Sequence, residues 1–523
     1  GLFVKLTPPG ANNPLASPPS WSRAARRPAP EIVNMTTDDE HGHELRIVII
    51  GAGMAGILTA IRLRESGYEN FVIYEKSDRV GGTWRDNTYP GIACDVPAHM
   101  YTYSFEPNPE WSSTYAPGSE IHTYFQRTAE KYDVLKYIRF NEAIPHCEFV
   151  GSRWHIRTST GREDAADFVI AATGVLHHPY VADIPGLDTF KRACFHSSRW
   201  DHDIDLAGKK VGVIGTGSTA TQITSAIADK VGRYDLFQRT AQWIMPIEDI
   251  KYTDQDRDAF RADSSKLEAV RQQVNDDFEV FSNAVIDAKS SGMKDIEDAC
   301  LTNLEDNVHD SALREKLRPD YRAGCKRLIF SGDFYPAIQH PNAHLVTEGI
   351  ERIEPEGVRL KNGELRDLDV LVVATGFRVD SFIRPTTVLG RGGVNLDDIW
   401  ADSPVAYMSI SIPEMPNFFM LNGPNGPVGN FSLIQIAEHQ VNYILQLMEK
   451  IRSGECREIS ASPTATAAFE NRRSEAAKQS IWATGCTSWY LDKNGVPASW
   501  PWSRARFFDE MAAPKLESYD LAG

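Results

Sequence analysis

The sequence predicts an α/β fold with two Rossmann-like units and a helical insert. Two short apolar runs, Ile47–Ile50 and Lys210–Ile214, each lead directly into a glycine-rich turn, a helical pattern and a second apolar run. In parallel α/β sheets, this order of elements places the phosphates of a nucleotide at the turn, where the next helix begins. Because this order of strand, glycine turn, helix and strand occurs twice, we expect two dinucleotide-binding domains.

In the first unit the turn reads G-x-G-x-x-G, with its glycines at Gly51, Gly53 and Gly56. The first glycine allows the turn, the second lets the backbone approach a pyrophosphate, and the third lets the helix pack closely on the strand. Glu75 follows Gly51 by 24 residues, at the end of the second apolar run. A carboxylate at this position accepts hydrogen bonds from ribose hydroxyls.

In the second unit the turn reads G-x-G-x-x-A, from Gly215 to Ala220. Arg239 follows Gly215 by 24 residues, so it holds the position that Glu75 holds in the first unit. An arginine there suits a 2′-phosphate, whereas a carboxylate suits a free ribose hydroxyl. The two units therefore indicate one flavin or NAD-type site and one NADP site, with an ordinary surface arginine as the alternative interpretation of Arg239.

Composition and charge limit the class of protein. Of the 523 residues 42% are hydrophobic, and no apolar run reaches the roughly 18–20 residues that span a membrane. The net charge of −16 argues against nucleic-acid and anionic-membrane partners, and we expect neither. The seven cysteines are scattered and form no C-x-x-C pair, which favours buried free thiols in a reducing compartment, the cytoplasm. No metal site is expected.

The order of the motifs divides the chain into segments. The expected segments are a disordered leader at 1–44, a first domain at 45–185, a second domain at 186–369 with a helical insert at about 250–325, and the remainder of the first domain at 370–523. The leader is rich in proline and arginine, and a transit peptide is its alternative interpretation. Apolar residues at steps of three and four between 267 and 285 predict an amphipathic helix in the insert. The apolar run at 370–373 is expected to return the chain to the first domain.

A long loop rich in glycine and aromatic residues, Gly81–Asp95, follows the first unit. Loops of this length in compact domains are usually functional or disordered, and its glycine-bracketed aromatics argue against disorder. A loop that merely caps a core is the alternative. Beyond the loop, the alternation of Tyr101, Tyr103 and Phe105 predicts a half-buried strand.

These motifs resemble those of the Baeyer–Villiger monooxygenases, a family of class B flavoprotein monooxygenases, from about residue 45 onwards. Gly81 to Asp95 matches the family pattern A/G-G-x-W-x-x-x-x-F/Y-P-G/M-x-x-x-D at every fixed position. Phe190 to Asp201 matches F-x-G-x-x-x-H-x-x-x-W-P/D, except that Arg192 replaces the glycine. The amino-acid sequences of the loops are most similar to those of fungal members, which often act in secondary metabolism.

The resemblance implies bound FAD, NADPH as reductant, and insertion of one oxygen atom of O₂ beside a ketone carbonyl through a C4a-peroxyflavin, which gives an ester or lactone. Arg327 falls on the arginine that stabilises this peroxide, Asp95 on the carboxylate that holds the arginine, and His196 and Trp200 on residues that couple the domains. The positions implied to bind FAD are Gly51, Gly53, Gly56, Glu75, Thr83, Trp84, Arg85, Cys94, Asp95 and Tyr101. The positions implied to bind NADP are Ala93, Cys94, Asp95, Thr216, Gly217, Ser218, Thr219, Ala220, Thr221, Gln222, Arg239, Thr240, Lys326 and Trp489.

Two other functions stay open at this point. An N- or S-oxygenating flavin monooxygenase would share the fold, but its corresponding motif usually ends in Phe or Tyr where this chain has Trp200, and it lacks the equivalent of Arg327. A flavin-binding scaffold or sensor that has lost catalysis is the second alternative, and Arg192 is the feature that points to it.

Overall fold

Two parallel sheets of five strands form the framework of the molecule. The computed structural model describes residues 44–523, so the predicted leader lies outside the described residues except for its last residue. The strands of the first sheet, in spatial order, are Phe418–Met420, Phe168–Ala171, Ile47–Ile50, Phe71–Tyr74 and Ile138–Arg139. Those of the second sheet are Ala343–Val346, Arg233–Phe237, Lys210–Ile214, Val370–Val373 and Ala193–His196. The prediction of two Rossmann-like units is confirmed.

The strand before each glycine turn lies in the middle of its sheet. In the first sheet Ile47 pairs with Phe71 on one side and with Phe168 on the other, both in parallel. The side chains of Ile47 and Ile49 have no exposed surface and pack in the core formed with the helices, whereas Val48 and Ile50 on the opposite face pack against an outer sheet. Burial on both faces is the reason that these strands are continuous apolar runs in the sequence.

The first glycine of each turn is required by the backbone. Gly51 has a φ of 102° and Gly215 a φ of 122°, in the region that favours glycine. A Cβ atom added to Gly51 would lie 2.7 Å from the carbonyl oxygen of Ala172, and one added to Gly215 would lie 2.3 Å from the carbonyl oxygen of Ala374. The neighbouring strand therefore leaves no room for a side chain, and both turns are fixed against the ends of their sheets.

The strand Val370–Val373 differs from the expectation that it returns the chain to the first domain. It pairs in parallel with Lys210–Ile214 and Ala193–His196, inside the second sheet. An apolar run indicates burial on both faces, but it does not identify the sheet that buries it. The chain instead leaves the second sheet after Val373, adds Thr387–Leu389 to an outer sheet that precedes the second unit, and reaches the first sheet at Phe418–Met420.

Smaller sheets and thirteen α-helices complete the described residues. An outer sheet of four strands consists of Thr387–Leu389, His146–Val150, Arg153–Arg157 and Glu163–Ala166. A sheet of three strands consists of Ile350–Glu354, Gly357–Leu360 and Leu365–Asp367. Two further sheets have two strands each, Ile244–Met245 with Ile329–Phe330 and Glu458–Ala461 with Tyr519–Ala522. The helices are Met54–Glu65, Thr83–Asp86, Gly118–Lys131, Ser218–Ile227, Asp254–Ala262, Ser264–Val285, Ser291–Asn307, Ser311–Leu317, Phe334–Ile338, Leu396–Ile399, Leu433–Arg452, Pro463–Ala477 and Arg504–Met511. Within residues 44–523, no helix has the length and apolar character needed to cross a membrane.

The predicted amphipathic helix of the insert is confirmed as Ser264–Val285. Asp263 caps its N-terminus by accepting a hydrogen bond from the Ser265 N–H at 3.0 Å. Its apolar face packs into the same hydrophobic core as the strands of the first sheet. The buried residues of that face include Leu267, Val274, Phe278, Phe281 and Val285. The insert therefore covers the first domain, although it follows the second unit in the chain.

The alternation of Tyr101, Tyr103 and Phe105 does not form the predicted strand. The Tyr101 N–H donates to the carbonyl of Pro97 at 3.0 Å, which closes a turn. The Tyr103 hydroxyl donates to the carbonyl of Met54 at 2.6 Å. The rings of Tyr101 and Tyr103 both pack against Phe125 of the helix Gly118–Lys131, at 6.4 and 5.6 Å between centroids, so their spacing reflects this shared contact and not a strand.

Cys325 and Cys486 form a disulfide across 161 residues of sequence, so the expectation of free thiols is wrong for this pair. The other cysteines, Cys94, Cys147, Cys194, Cys300 and Cys456, are free. The bond joins the segment that leads into Arg327 to the loop that carries Trp489. An odd number of scattered cysteines gives no indication of which two lie together.

Candidate active site

The loop Gly81–Asp95 lies where the two Rossmann-like units meet. The hydroxyl of Tyr89 donates to Oε1 of Gln222 at 2.8 Å, and Nε2 of Gln222 donates to the carbonyl of Ala93 at 2.9 Å. A Cβ atom at Gly91 would lie 2.5 Å from the carbonyl oxygen of Gln222, so the loop packs directly on the helix of the second unit. Gln222, predicted to bind NADP, thus uses both atoms of its amide to connect the units.

Asp95, at the end of this loop, forms an ion pair with Arg327. Oδ2 of Asp95 accepts hydrogen bonds from Nε at 3.2 Å and from Nη2 at 2.5 Å. The two side chains are about one quarter exposed, so the pair lies in a partly open cleft. Burial opposes the charge of Arg327, but Asp95 and the hydroxyl of Tyr490 outweigh burial and raise the pKa of the guanidinium. Arg327 is therefore a permanent, oriented positive charge, as the sequence prediction requires.

A small cavity adjoins the guanidinium of Arg327. Apart from Arg327 and Tyr490 its walls are apolar, and they come from the insert, from the strand after Arg327 and from the C-terminal region. The apolar side chains that line it are Phe281, Val285, Leu328, Phe330 and Trp482. The cavity is small, and what it shows is that the surroundings of the guanidinium on this side are apolar.

The predicted FAD residues lie around the first glycine turn. Glu75 is 3% exposed, and its Oε2 accepts from the Ala52 N–H at 2.8 Å, which fixes the carboxylate over the turn. Arg85 lies 3.1 Å from Oε1 of Glu75. The Trp84 indole donates to the Tyr101 hydroxyl at 3.2 Å. These residues form a continuous wall from the turn to the start of the loop.

The backbone around the first turn is packed too closely for side chains. A Cβ atom at Gly56 would lie 1.9 Å from the carbonyl oxygen of Gly51, and one at Gly82 would lie 3.2 Å from Cα of Gly53. Thr83 begins the short helix Thr83–Asp86 directly after Gly82. Two stretches of bare backbone thus face each other, as a cradle for a pyrophosphate requires.

A buried amide without a partner follows directly after Gly429, which lines the cavity beside Arg327. Asn430 is 1% exposed, and neither its Oδ1 nor its Nδ2 has a hydrogen-bond partner within the described residues. It precedes the helix Leu433–Arg452 by three residues, and that helix has no side-chain cap on its first N–H groups. Buried amides are normally paired, so Asn430 indicates a polar ligand. A flavin ring, with its carbonyl and N–H groups, fits this donor and acceptor set.

The second glycine turn is open on the side that faces the cleft. A Cβ atom at Gly217 would meet nothing within 4 Å, in contrast to Gly215. Ser218, Thr219 and Ala220 form the first turn of the next helix, and its N–H groups point towards this opening. The Thr216 hydroxyl donates to the carbonyl of Thr240 at 2.9 Å, which ties the turn to the end of the neighbouring strand. Ala220 and Thr221 are buried, and the Thr221 N–H donates to the carbonyl of Gly217 at 3.0 Å, so Thr221 is engaged within the helix.

Arg239 and Lys326 lie close enough to repel one another. Burial lowers the pKa of Lys326, and the charge of Arg239 lowers it further. The ammonium of Lys326 lies 4.6 Å from the centroid of the Tyr321 ring, and Arg239 is exposed. Two neighbouring cations are stabilised by an anion between them, and a phosphate provides one.

Trp489 lies on the surface beside the cleft. It is 41% exposed, and its ring lies 4.1 Å from that of Tyr490, measured between centroids. Tyr490 is the residue of this loop that reaches Arg327 and lines the cavity. Cys94, in contrast, is buried under the loop, and burial raises the pKa of its thiol, so the thiol is protonated at neutral pH.

His196 lies at the junction of the two interdomain connections. Its Nδ1 accepts from the Ser198 N–H at 3.1 Å, so its Nε2 carries the proton and donates to the carbonyl of Gly376 at 3.0 Å. The same carbonyl accepts from the Tyr180 N–H at 2.8 Å. Burial lowers the pKa of His196, which keeps the ring neutral. Trp200 packs on Phe195 of the strand that ends at His196, with 5.2 Å between ring centroids.

Arg192, which replaces the motif glycine, is accommodated without disturbing these residues. Its Nη1 donates to the carbonyl of Leu368 at 3.0 Å and pairs with the carboxylate of Asp369. This arginine therefore points along the edge of the second sheet, away from His196 and Trp200. The departure from the pattern is a local surface feature.

Two residues of the site were not found from the sequence. Tyr490 follows the predicted Trp489 directly, but an apolar ring in a C-terminal loop gives no indication that it meets Arg327. Asn430 belongs to a turn-rich loop, Leu421–Pro427 and beyond, whose composition marks a loop and not a ligand contact. The only signal for either was its place in a segment dense in glycine and aromatic residues.

Known proteins match this chain over nearly its whole length. Residues 44–255 match the flavin-binding monooxygenase-like family. An uncharacterised monooxygenase of Mycobacterium tuberculosis is 42% identical over 91% of this chain and 96% of its own. A Baeyer–Villiger monooxygenase of Streptomyces coelicolor is 37% identical over 92% of this chain and 94% of its own. The crystal structure of OTEMO in complex with FAD and NADP superimposes with a TM-score of 0.83, at 25% identity, over 91% of this chain and 99% of its own.

These similarities cover both sheets, the insert and the loop that carries Asp95. The chain therefore belongs to the flavin-binding monooxygenase-like family, and it is a FAD- and NADPH-dependent monooxygenase of the Baeyer–Villiger type.

Proposed function

We propose that the substrate is an apolar ketone and that Arg327, oriented by Asp95, is the catalytic residue. The observation that carries this proposal is the position of the Arg327 guanidinium, which borders an apolar cavity and is held by Oδ2 of Asp95. A ketone is uncharged and has one polar atom, its oxygen. The apolar side chains around the cavity and the guanidinium match these two properties.

The charge of Arg327 suits oxygen insertion beside a carbonyl. The attack on a ketone develops negative charge on the carbonyl oxygen, and a fixed guanidinium stabilises that charge as it forms. Contact with Asp95 keeps the guanidinium from turning, because a single carboxylate oxygen engages both Nε and Nη2. Removal of one such hydrogen-bond donor typically raises the activation barrier by about 3–4 kcal/mol.

FAD would lie between the first glycine turn and Asn430. Gly51, Gly53 and Gly82 would receive its pyrophosphate, Glu75 its ribose, and Asn430 the polar edge of its ring. When bound, FAD takes a hydride from NADPH and activates O₂ for transfer of one oxygen atom. Trp84 and Tyr101, joined by a hydrogen bond, would keep water from this side of the ring.

NADPH would lie against the second glycine turn. The first N–H groups of the helix Ser218–Ile227 would bind its pyrophosphate, and Arg239 with Lys326 its 2′-phosphate. Gln222 donates to the carbonyl of Ala93, and His196 donates to the carbonyl of Gly376. Both contacts support a role for Gln222 and His196 in holding the two domains at a fixed distance. The expected cytoplasmic location stays a prediction.

The Arg327→Ala variant tests the catalytic assignment. We expect NADPH oxidation to continue, because the nucleotide-binding residues are untouched, and ester formation to fall by roughly a hundredfold or more. Arg322→Ala is a matched control, because this exposed arginine precedes Arg327 by five residues and pairs with Glu297. Ester formation at the wild-type rate in the Arg327→Ala variant would refute the assignment.

The reaction itself is tested with a panel of cyclic, aryl and long-chain ketones, scored by ester or lactone formed per NADPH consumed. Thioethers and tertiary amines are added to the panel as competing substrates. We expect esters or lactones from ketones of apolar character. Efficient oxygenation of sulfur or nitrogen without any ester or lactone would favour the N- or S-oxygenating function instead.

A further inference from the structure

The loop after Cys486 brings a second side chain to Arg327. Tyr490 is 4% exposed and lines the same small cavity as Arg327, close enough for the phenol and the guanidinium to shift each other's pKa. Burial raises the pKa of Tyr490 against the opposing effect of the Arg327 charge, so the phenol is neutral at physiological pH. Two oxygen-bearing side chains therefore lie beside Arg327, the anionic carboxylate of Asp95 that it contacts and the neutral phenol of Tyr490.

The surroundings of Tyr490 leave its hydroxyl one position. A Cβ atom at Gly429 would lie 2.1 Å from the hydroxyl oxygen, so the backbone there has room for the phenol only because it lacks a side chain. The rings of Trp482 and Trp489 lie 5.4 and 4.1 Å from that of Tyr490. The carbonyl of Tyr490 accepts from the Ala498 N–H at 2.7 Å. The ring is held on several sides, beside the cavity that it shares with Arg327.

The disulfide links the two partners of this contact. Cys325 precedes Arg327 by two residues, and Cys486 precedes Tyr490 by four. Because both segments start from one covalent bond, the distance that separates the guanidinium from the phenol is limited by a few residues of chain. The loop is therefore attached to the site independently of any bound nucleotide.

We propose that Tyr490 is a positioning residue for Arg327, an inference that rests on the proposed function. A neutral oxygen occupies an N–H donor and fixes the plane of the guanidinium without cancelling its charge. A second carboxylate at this point would also fix the plane, but it would remove the field that stabilises a developing oxyanion. Asp95 and Tyr490 thus have separate roles, because the carboxylate anchors the arginine and the phenol orients its remaining donors.

The Tyr490→Phe variant of the FAD-loaded enzyme tests this inference, because it removes one oxygen atom and keeps the ring. We expect NADPH to be oxidised within about twofold of the wild-type rate and the KM for the ketone to be nearly unchanged. Ester formed per NADPH should fall by roughly tenfold, the scale of one hydrogen bond to a charged group, with hydrogen peroxide released in its place. An ester yield per NADPH equal to that of the wild type would overturn the inference.

Tyr443→Phe is the matched control for the loss of a buried hydroxyl. Tyr443 is 1% exposed, and its hydroxyl lies 3.0 Å from that of Tyr519, away from the cavity. We expect this variant to keep the wild-type ester yield per NADPH. An equal loss in both variants would overturn the inference, because it would trace the loss to general loosening of the fold.

A crystal structure of the Tyr490→Phe variant gives a readout that does not depend on the substrate. We expect the Arg327 guanidinium to rotate about its contact with Asp95 or to occupy more than one orientation. A guanidinium that superimposes on that of the wild type overturns the inference, whichever reaction the enzyme catalyses. Failure of the wild type to form esters with any ketone would refute the proposed function alone, and the structural comparison would still decide the role of Tyr490.

Discussion

At the scale of single residues, the site depends on where charge is cancelled and where it is kept. Asp95 and Arg327 form a close pair, whereas Arg239 and Lys326 lie together and burial lowers the pKa of the lysine. The first arrangement orients a cation and the second attracts an anion. The same residue type, arginine, therefore has two different roles that its neighbours decide.

The Arg239→Ala variant tests the role of the second arrangement. We expect the KM for NADPH to rise by roughly ten- to a hundredfold, since a charge-assisted hydrogen bond contributes about 1.5–3 kcal/mol. The KM for NADH should change little, because NADH lacks the 2′-phosphate. Arg157→Ala, at an exposed arginine of an outer sheet, is the control. If the preference for NADPH over NADH survives in the Arg239→Ala variant, the phosphate is bound elsewhere.

At the scale of elements, the two glycines of the second turn serve different purposes. Position 215 requires glycine because its φ is positive and the carbonyl of Ala374 leaves no room for a Cβ atom. Gly217, in contrast, faces open space and has a φ of −74°, which any residue adopts. The first glycine is a requirement of folding. The second matters only if a ligand approaches the backbone closely.

Gly215→Ala and Gly217→Ala separate these purposes. We expect Gly215→Ala to lower the free energy of unfolding by about 1–3 kcal/mol or more, from strain and overpacking, seen as a lower melting temperature. Gly217→Ala should keep the wild-type melting temperature and weaken NADP⁺ binding, measured by titration, by roughly tenfold. A Gly217→Ala variant that binds NADP⁺ normally would show that the pyrophosphate does not approach this turn.

The elements that the sequence predicts correctly are those whose patterns have one physical cause. A strand, a glycine turn and a helix follow from backbone limits at Gly51 and Gly215, and the amphipathic helix Ser264–Val285 follows from one buried face. The prediction for the strand Val370–Val373 is wrong because both sheets bury apolar strands equally. The alternation of Tyr101 and Tyr103 resembles a strand because both rings pack against Phe125 of the helix Gly118–Lys131.

Residues of the candidate site are predicted from the sequence where they belong to a family motif. They are missed where their role depends on a tertiary contact. Asp95 and Arg327 lie 232 residues apart, and the family pattern, not the spacing, brings them together. Tyr490 and Asn430 have no local pattern that indicates a contact with Arg327 or with a ligand. Their roles depend on how the loop after Cys486 and the loop before Leu433 fold over the cleft.

At the scale of the whole molecule, buried histidines make stability depend on pH. His99 is 4% exposed and packs between Tyr252 and Phe260, with 5.4 Å between ring centroids in each case. Burial, together with the charge of Arg271, lowers the pKa of His99 to about 4. In the unfolded chain its pKa is about 6.5, so the unfolded state binds the proton first as the pH falls. The contribution of His99 to stability is complete above pH ~6.5 and is lost towards pH ~4.

The His99→Phe variant tests this dependence by denaturant unfolding at pH 7 and pH 4.5. We expect the wild type to lose about 2 kcal/mol more than the variant between the two values, because phenylalanine binds no proton. His155→Phe, at an exposed histidine, should keep the wild-type dependence. Equal losses in the wild type and the His99→Phe variant would show that His99 titrates normally in the folded protein.

The bond between Cys325 and Cys486 also changes what a single cut in the chain can do. The 161-residue interval that it closes contains most of the connection back to the first sheet and the long helix Leu433–Arg452. A protease that cleaves once inside this interval leaves one covalent molecule, and reduction of the disulfide is needed before two fragments separate. Damage there is thus masked in an oxidising environment and revealed in a reducing one, so a nicked enzyme can keep its active-site loop in place.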